Sequence, residues 1–185
     1  MLNSGLSEAT GRLCQKWDDD DWYSPEFLET LVSAYFHSTR DSGRRGVVYL
    51  VETLWLDLSQ WRVLGPSTEL LTGSTLLFDR EAWSERPFRE NRISEDWWFA
   101  VDQLKTGALA VPVFAPGLYV CVRHDGAGGE RSHSWTRFYE DLDTEKLRRD
   151  RRFRDVDPTA VLPDWIVSTY RELRAETRPS DSSRR

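Results

Sequence analysis

Residues 16–25 have the sequence KWDDDDWYSP, in which four aspartates, Asp18 to Asp21, follow the segment 12–17. The pattern of segment 12–17 predicts a short strand. The triplet Ser24-Pro25-Glu26 supplies the N-cap, the proline and the first-turn acid that begin many helices, and it predicts a helix over 25–38. The four carboxylates are therefore expected at the carboxyl end of a strand, which is the edge where α/β sheets bind ligands.

Further along the chain, segments rich in β-branched and aromatic residues predict a strand or hairpin over 47–51 and 53–64 and a strand at 71–78. A pair of strands joined by 115–117 is predicted at 109–114 and 118–123. Helices are predicted over 79–84 and from Ser94 to Gly107. This order favours an α/β fold with a mixed sheet packed by helices. We expect a single domain over 1–176, with a helical C-terminal part at 136–176 and a disordered tail at 177–185.

The composition excludes several classes of protein. A net charge of -6 over 185 residues argues against nucleic acid as a partner. The longest apolar segments, such as 109–115, are shorter than the roughly 20 residues that cross a bilayer, and no secretory signal is recognisable, so we expect a cytoplasmic chain without a transmembrane segment. Cys14 and Cys121 lack the spacing of a zinc site.

Four adjacent carboxylates repel one another, so a structured site must offset their charge. Mn²⁺ or Mg²⁺ does so with oxygen ligands, and Mg²⁺ typically binds through one or two carboxylates together with substrate phosphates. The alternative, which composition alone favours, is a solvated acidic loop or a helix-capping cluster.

The segment from Lys16 to Leu28 resembles the Asp-x-Asp segment of family 2 glycosyltransferases, in which a strand ends in an acidic cluster followed by an aromatic residue, a proline and a helix. Segment 71–83, LTGSTLLFDREAW, is similar to the acceptor-side segment of that family. Ser94-Glu95-Asp96 is similar to its Glu-Asp motif. The three segments occur in the family's order, and the resemblance implies the Rossmann-like nucleotide-binding fold called GT-A.

The resemblance also implies roles for individual residues. Asp20 would hold Mn²⁺ or Mg²⁺ on the donor's diphosphate, with Asp18 near the sugar or ribose and Asp21 in support, although four identical residues leave this register open by one. Asp96 would be the general base that takes the proton of the acceptor hydroxyl. On the acceptor side the resemblance places Gly73, Ser74 and Glu95. The alternative for the acidic pair is that both acids complement the helix dipole.

Segment 119–126 is similar to a later segment of some members, where a strand carries a basic or histidine-containing turn towards the phosphates. His124 would then be a further metal ligand or a donor to the diphosphate. The alternative is that His124 is an ordinary loop or strand-end residue, which is the commoner case for a lone histidine.

The implied function is transfer of a sugar, with inversion, from a nucleotide-sugar donor to a glycan or other hydroxyl acceptor. Family members begin with strand-helix units that hold the nucleotide, whereas 17 residues precede Asp18 here. We therefore expect the donor-base half to be missing and a partner chain to cover the exposed sheet edge. The alternative is a non-catalytic carbohydrate-binding or interaction protein, and the nine tryptophans suit either a sugar-binding surface or an aromatic core.

Overall fold

The structure is a computed structural model that describes residues 2–58, 61–67, 73–90, 94–123 and 154–177. Two compact units are formed by residues close in space: unit 1 comprises Met1–Thr53 and Thr68–Tyr119, and unit 2 comprises Leu54–Ser67 and Val120–Arg185. Both units contain strands and helices, which confirms a mixed α/β chain. The expectation of a single domain stays a prediction.

The described strands are β1 (Leu13–Gln15), β2 (Trp22–Tyr23), β3 (Gly46–Leu50), β4 (Thr53–Asp57), β5 (Arg62–Ser67), β6 (Leu77–Asp79), β7 (Leu109–Val113), β8 (Tyr119–Arg123) and β9 (Arg154–Val156). The described α-helices are α1 (Leu2–Glu8), α2 (Phe27–Thr39), α3 (Arg80–Glu85), α4 (Glu95–Lys105) and α5 (Asp164–Thr177). Short 3-10 turns occupy Gly73–Thr75 and Pro158–Ala160.

The sheet of unit 1 has the strand order β1-β6-β3-β7. Strand β6 is antiparallel to both β1 and β3, whereas β3 is parallel to β7, so the sheet is mixed as predicted. Gln15 is opposite Leu77, and just beyond it the Lys16 N–H donates to the Leu76 carbonyl over 3.0 Å. This register brings the end of β1, and the acidic run after it, beside the turn at 73–75.

Helices pack on both faces of this sheet. Successive strand residues point to opposite sides, so neighbouring residues of β3 contact different helices. A Cβ on Gly46 would lie 3.1 Å from Thr39 and 3.3 Å from Tyr35, so α2 packs closely on one face. Val47 faces the other side. It belongs to a buried cluster with α4 and β6 that contains Cys14, Val47, Leu76, Phe78, Phe88, Phe99 and Ala100.

Two expectations about the strands need correction. Within the predicted strand at 71–78, Gly73–Thr75 form a 3-10 turn and the three-residue β6 begins only at Leu77. The strands joined by 115–117 do not pair with each other, because β7 pairs in parallel with β3 and residues 120–123 of β8 pair in parallel with β4. The turn contains Gly117 with φ of 89°, a conformation that glycine adopts without a steric penalty.

Unit 2 has the strand order β8-β4-β5-β9, with β4 parallel to β8 and β5 antiparallel to β9. The expectation of a helical part over 136–176 is wrong at 154–163, where β9 and a 3-10 turn precede α5. Pro158 and Pro163 account for the difference, since proline interrupts a continuous helix. Thr177, expected in the tail, is the last residue of α5, whereas 124–153 and 178–185 lie outside the described residues.

Within the described ranges, no helix has both the length and the apolar character needed to cross a membrane.

Candidate functional site

The four aspartates follow β1 and lie in different surroundings within unit 1. Asp19 is exposed to solvent, whereas the other three are partly buried. Asp18 is held by several neighbours, and Asp21 accepts a short hydrogen bond from the hydroxyl of Tyr119. The run is therefore not a uniformly solvated charge cluster, and its members are structurally distinct.

Asp18 is fixed from three directions. The ammonium group of Lys16 lies 3.1 Å from Oδ1 and 3.3 Å from Oδ2 of its carboxylate. The Ser74 hydroxyl donates a short hydrogen bond to Oδ2. The backbone N–H of Asp18 donates to the Tyr23 hydroxyl over 3.0 Å. Both the main chain and the carboxylate are thus positioned, by Lys16 just after β1, by Tyr23 of β2 and by Ser74 of the turn at 73–75.

Tyr23 connects these two parts of the site. Its hydroxyl accepts from the Asp18 backbone and lies 3.5 Å from the Ser74 carbonyl, a long contact in which it is the donor. Burial is the largest cause that raises the pKa of Tyr23 well above its usual value, and the negative charges of Asp21 and Asp18 raise it further. The phenol therefore stays protonated, which suits a fixed hydrogen-bonding group and not a base.

Trp17 and Tyr23 form an aromatic platform beside Asp18. Their rings stack with centroids 3.9 Å apart and planes inclined by 25°. Phe27 supports both rings through edge contacts, at 5.6 Å from Trp17 and 4.9 Å from Tyr23. Trp17 is nevertheless 52% exposed, so this platform presents a large aromatic surface to solvent next to a carboxylate.

The turn at 73–75 joins Asp18 to the start of α4. Gly73, Ser74 and Thr75 are all buried, and Ser74 is the donor to Asp18 described above. A Cβ added to Gly73 would fall 1.9 Å from Oδ2 of Asp96 and 2.6 Å from its Cγ. The Asp96 carboxylate therefore rests directly on the Gly73 backbone, in a space that only glycine leaves open.

Asp96 occupies the first turn of α4, as the sequence predicted. Its Oδ1 accepts from the Trp97 N–H over 2.6 Å, and Glu95 precedes it, also partly buried. Ser94 has a left-handed backbone with φ of 59° and makes no side-chain cap hydrogen bond. The Asp96 carboxylate thus contacts both the backbone of its own helix and Gly73. An acid that only complements the helix dipole needs neither contact.

The residues predicted from the motifs fall into two groups. The structure brings together Asp18, Ser74, Gly73 and Asp96, each in contact with the next in that order. Asp20 and Asp21 follow Asp18 in the acidic run, and the contacts described above do not link either residue to Asp96. His124 lies outside the described residues.

The oxygen-rich run is chemically suited to a hard divalent cation that is shared with a ligand. In the described part of the chain, no three His, Cys, Asp or Glu side chains converge to form a metal site by themselves. Mg²⁺ typically needs only one or two carboxylates when phosphates supply further ligands. Asp20 and Asp21 are two adjacent carboxylates of this kind. Asp21 also accepts from the Tyr119 hydroxyl, and the ammonium of Lys16 lies beside Asp18.

Sequence reasoning missed two supporting residues, Lys16 and Tyr23. Lys16 has a signal in the sequence, because residues two apart on an extended segment point to the same side, so a lysine at 16 faces an aspartate at 18. Tyr23 has no comparable signal. Its contact with Ser74 depends on the antiparallel pairing of β1 with β6, which places 74 beside the end of β1.

No protein-family model matches this chain, and a search of curated proteins found no match. The resemblance to family 2 glycosyltransferases therefore rests on the three motifs.

Proposed function

We propose that this chain is a glycosyltransferase of the GT-A type that transfers a sugar from a nucleotide-diphosphate-sugar donor to a hydroxyl acceptor, with inversion. The observation that supports this best is the contact between Gly73 and Asp96, next to the hydrogen bond between Ser74 and Asp18. Three motifs from distant parts of the sequence meet there, in the combination that the proposed reaction needs.

On the donor side, the carboxylates of Asp20 and Asp21 would hold Mn²⁺ or Mg²⁺ together with the diphosphate. The cation would supply positive charge for the departing nucleoside diphosphate. Asp18, with its carboxylate fixed by Lys16 and Ser74, accepts hydrogen bonds from hydroxyl groups of the donor's sugar or ribose. His124 is a further candidate ligand for the same cation.

On the acceptor side, Asp96 takes the proton of the acceptor hydroxyl while that oxygen attacks the anomeric carbon. The bond from this carbon to the phosphate oxygen breaks at the same time, and the electron pair leaves with the diphosphate. A single displacement from the opposite face inverts the anomeric configuration. Gly73 allows the base to approach the backbone. Ser74 follows Gly73 in the turn, and Glu95 precedes Asp96 at the start of α4.

The test separates metal binding from proton transfer with two variants. Asp20→Ala should abolish the Mn²⁺-dependent binding of nucleoside diphosphates, measured by titration calorimetry with UDP, GDP and dTDP. Asp96→Asn should keep that binding and lose about 100-fold or more in the release of nucleoside diphosphate from UDP-glucose, GDP-mannose or dTDP-glucose, because one general base contributes about 10²–10⁴-fold.

Asp164→Asn is the matched control for Asp96→Asn. Asp164 is also an acid in the first turn of an α-helix, so both variants lose a similar helix-dipole interaction. The control should leave binding and turnover unchanged. Turnover by Asp96→Asn at the parental rate, or metal-dependent binding by Asp20→Ala at the parental affinity, would show that the corresponding assignment is wrong.

A carbohydrate-binding protein without transferase activity is the second candidate function. The exposed rings near the site favour it, since Trp17 is 52% exposed and Trp97, which follows the proposed base, is 49% exposed. Aromatic surfaces of this kind bind ligands with or without catalysis. This candidate predicts binding of oligosaccharides with no binding of nucleoside diphosphates in the presence of Mn²⁺.

A further inference from the structure

Trp17 presents one ring face to solvent although its position is fixed. Tyr23 stacks on the indole at 3.9 Å, and Phe27 contacts it perpendicularly at 5.6 Å and 89°. Tyr23 covers one face of the indole, and the centroid distances among the three rings place Phe27 on the same side as Tyr23. The 52% of Trp17 that remains exposed therefore includes the opposite face, which is available to a flat or apolar partner.

The carboxylate beside this ring retains acceptor capacity. Among the described residues, Asp18 accepts from Lys16 and from Ser74, through two contacts of the ammonium and one of the hydroxyl. An ionised carboxylate has about four acceptor positions and no donor. Its side chain is 30% exposed, so the remaining position is open to a ligand that supplies an O–H or N–H donor.

We propose that Trp17 and Asp18 form a subsite for a pyranose ring. The C–H face of the sugar stacks on the open face of the indole, and a sugar hydroxyl donates to the carboxylate. Trp17 is well suited to this because its supported ring loses little conformational entropy on binding. The pyranose subsite itself does not depend on the proposed function. Only the assignment of the bound sugar to the donor rests on that function.

The carboxylate favours a sugar over a nucleobase as the stacked ring. Hydroxyl groups surround a pyranose, so a donor reaches Asp18 in many orientations of the ring on the indole. A base carries its N–H donors on restricted edges, and stacking alone does not direct one of them to the carboxylate. A sugar therefore satisfies the aromatic surface and the acceptor together.

The experiment compares Trp17→Ala with Trp165→Ala, a control on α5 of unit 2 that removes a tryptophan exposed by 68%. Dissociation constants are measured by calorimetry with Mn²⁺ for UDP-glucose and UDP, for GDP-mannose and GDP, and for maltose and cellobiose. Loss of the stack should weaken sugar binding by roughly three- to tenfold, the range expected for one aromatic stacking contact. Trp17→Tyr, which preserves an aromatic face, should recover most of that affinity.

If Trp17→Ala weakens the binding of a nucleotide sugar but not that of its nucleoside diphosphate, the subsite is supported and is assigned to the donor sugar. Selective weakening of a disaccharide also supports it and assigns it to the acceptor. Equal weakening of a nucleotide sugar and its nucleoside diphosphate would mean that the base stacks on Trp17, and this would overturn the proposal. Unchanged binding of every probe, or no binding of any probe by the parent, would overturn it as well.

Two further measurements keep the interpretation clear. Thermal unfolding of Trp17→Ala and Trp17→Tyr identifies any loss of affinity that comes from a disturbed fold, since Tyr23 also supports Asp18. Binding of a disaccharide that depends on Trp17, in a parent chain that binds no nucleoside diphosphate, would refute the proposed transferase and leave the pyranose subsite standing.

Discussion

Replacing Gly73 with alanine tests the contact on which the candidate site depends. The added Cβ would lie 1.9 Å from Oδ2 of Asp96, whereas real contacts of this kind are almost never shorter than 3.0 Å. The two groups must therefore separate by about 1.1 Å, the difference between these distances. Gly73 is not among the described glycines with positive φ, so its backbone accepts alanine and the cost comes from the contact.

The size of the effect follows from that separation. Forcing an additional carbon into a packed site costs about 1–3 kcal/mol of stability. A catalytic group displaced by about 1 Å loses on the order of 100-fold in rate. We therefore expect Gly73→Ala to lower the free energy of unfolding by about 1–3 kcal/mol. If the proposed function is correct, we also expect turnover to fall about 100-fold, with little change in the affinity for nucleoside diphosphate and Mn²⁺.

Urea unfolding, followed by tryptophan fluorescence and circular dichroism, measures the stability change. Gly5→Ala is the matched control, because Gly5 lies within α1 and a Cβ there meets nothing within 4 Å. That substitution should stabilise by about 0.5–1 kcal/mol, the usual gain in a helix interior. The same Gly73→Ala change is then made in an Asp96→Gly background, where the side-chain atoms that would clash are absent.

The double-mutant cycle gives the decisive result. If Asp96 rests on Gly73, the cost of Gly73→Ala should shrink in the Asp96→Gly background, with a coupling energy of about 0.5–3 kcal/mol. An equal cost in both backgrounds would refute the contact. A Gly73→Ala variant that is as stable as the parent would refute it too, and the link between the acidic run and the proposed base would then be lost.

Two other predictions concern the groups around this contact. Because the pKa of Tyr23 is raised in the folded state, the unfolded chain loses this proton first, above about pH 10, and stability should fall as pH rises further. In Tyr23→Phe the melting temperature should fall less steeply from about pH 9 to 11, and an unchanged slope would contradict the assignment. Asp79 caps α3 through the Glu81 N–H and accepts from the buried Tyr35 hydroxyl, so Asp79→Ala should cost about 1–3 kcal/mol in urea unfolding. Asp79→Asn, which can still cap the helix, should cost less, and equal costs would show that capping is unimportant.

Local patterns in the sequence were sufficient to predict most elements of unit 1. The helix predicted over 25–38 is α2 at Phe27–Thr39, and the strand predicted before the acidic run is β1. Short-range sequence pattern carried both predictions. The start of the helix needs correction, because Glu26 and not Ser24 is the N-cap, and the Glu26 side chain makes no cap hydrogen bond. The pairing of strands was less predictable. Strands β7 and β8 follow each other in sequence, yet each pairs with a strand far along the chain, and such choices depend on long-range packing.

The candidate site shows the same division between local and long-range information. The motifs alone marked Asp18, Gly73 and Asp96, but nothing in composition or periodicity indicates that a glycine backbone supports the carboxylate of Asp96. That contact needs β6 to lie beside β1 and α4 to pack against the same sheet. The supporting role of Tyr23 was equally hidden, because it depends on tertiary position.

The four aspartates have the same side chain but different surroundings, so they need not have the same function. Lys16 places a positive charge 3.1 Å from Asp18, so a divalent cation bound at Asp18 would meet electrostatic repulsion. Asp19 is exposed and has less support for holding a cation in one geometry. Both observations count against Asp18 and Asp19 as the metal ligands, and the proposed function assigns the cation to Asp20 and Asp21. The same observations leave Asp18 to accept hydrogen bonds from hydroxyl groups. The variants of Asp20 and Trp17 test these two roles separately.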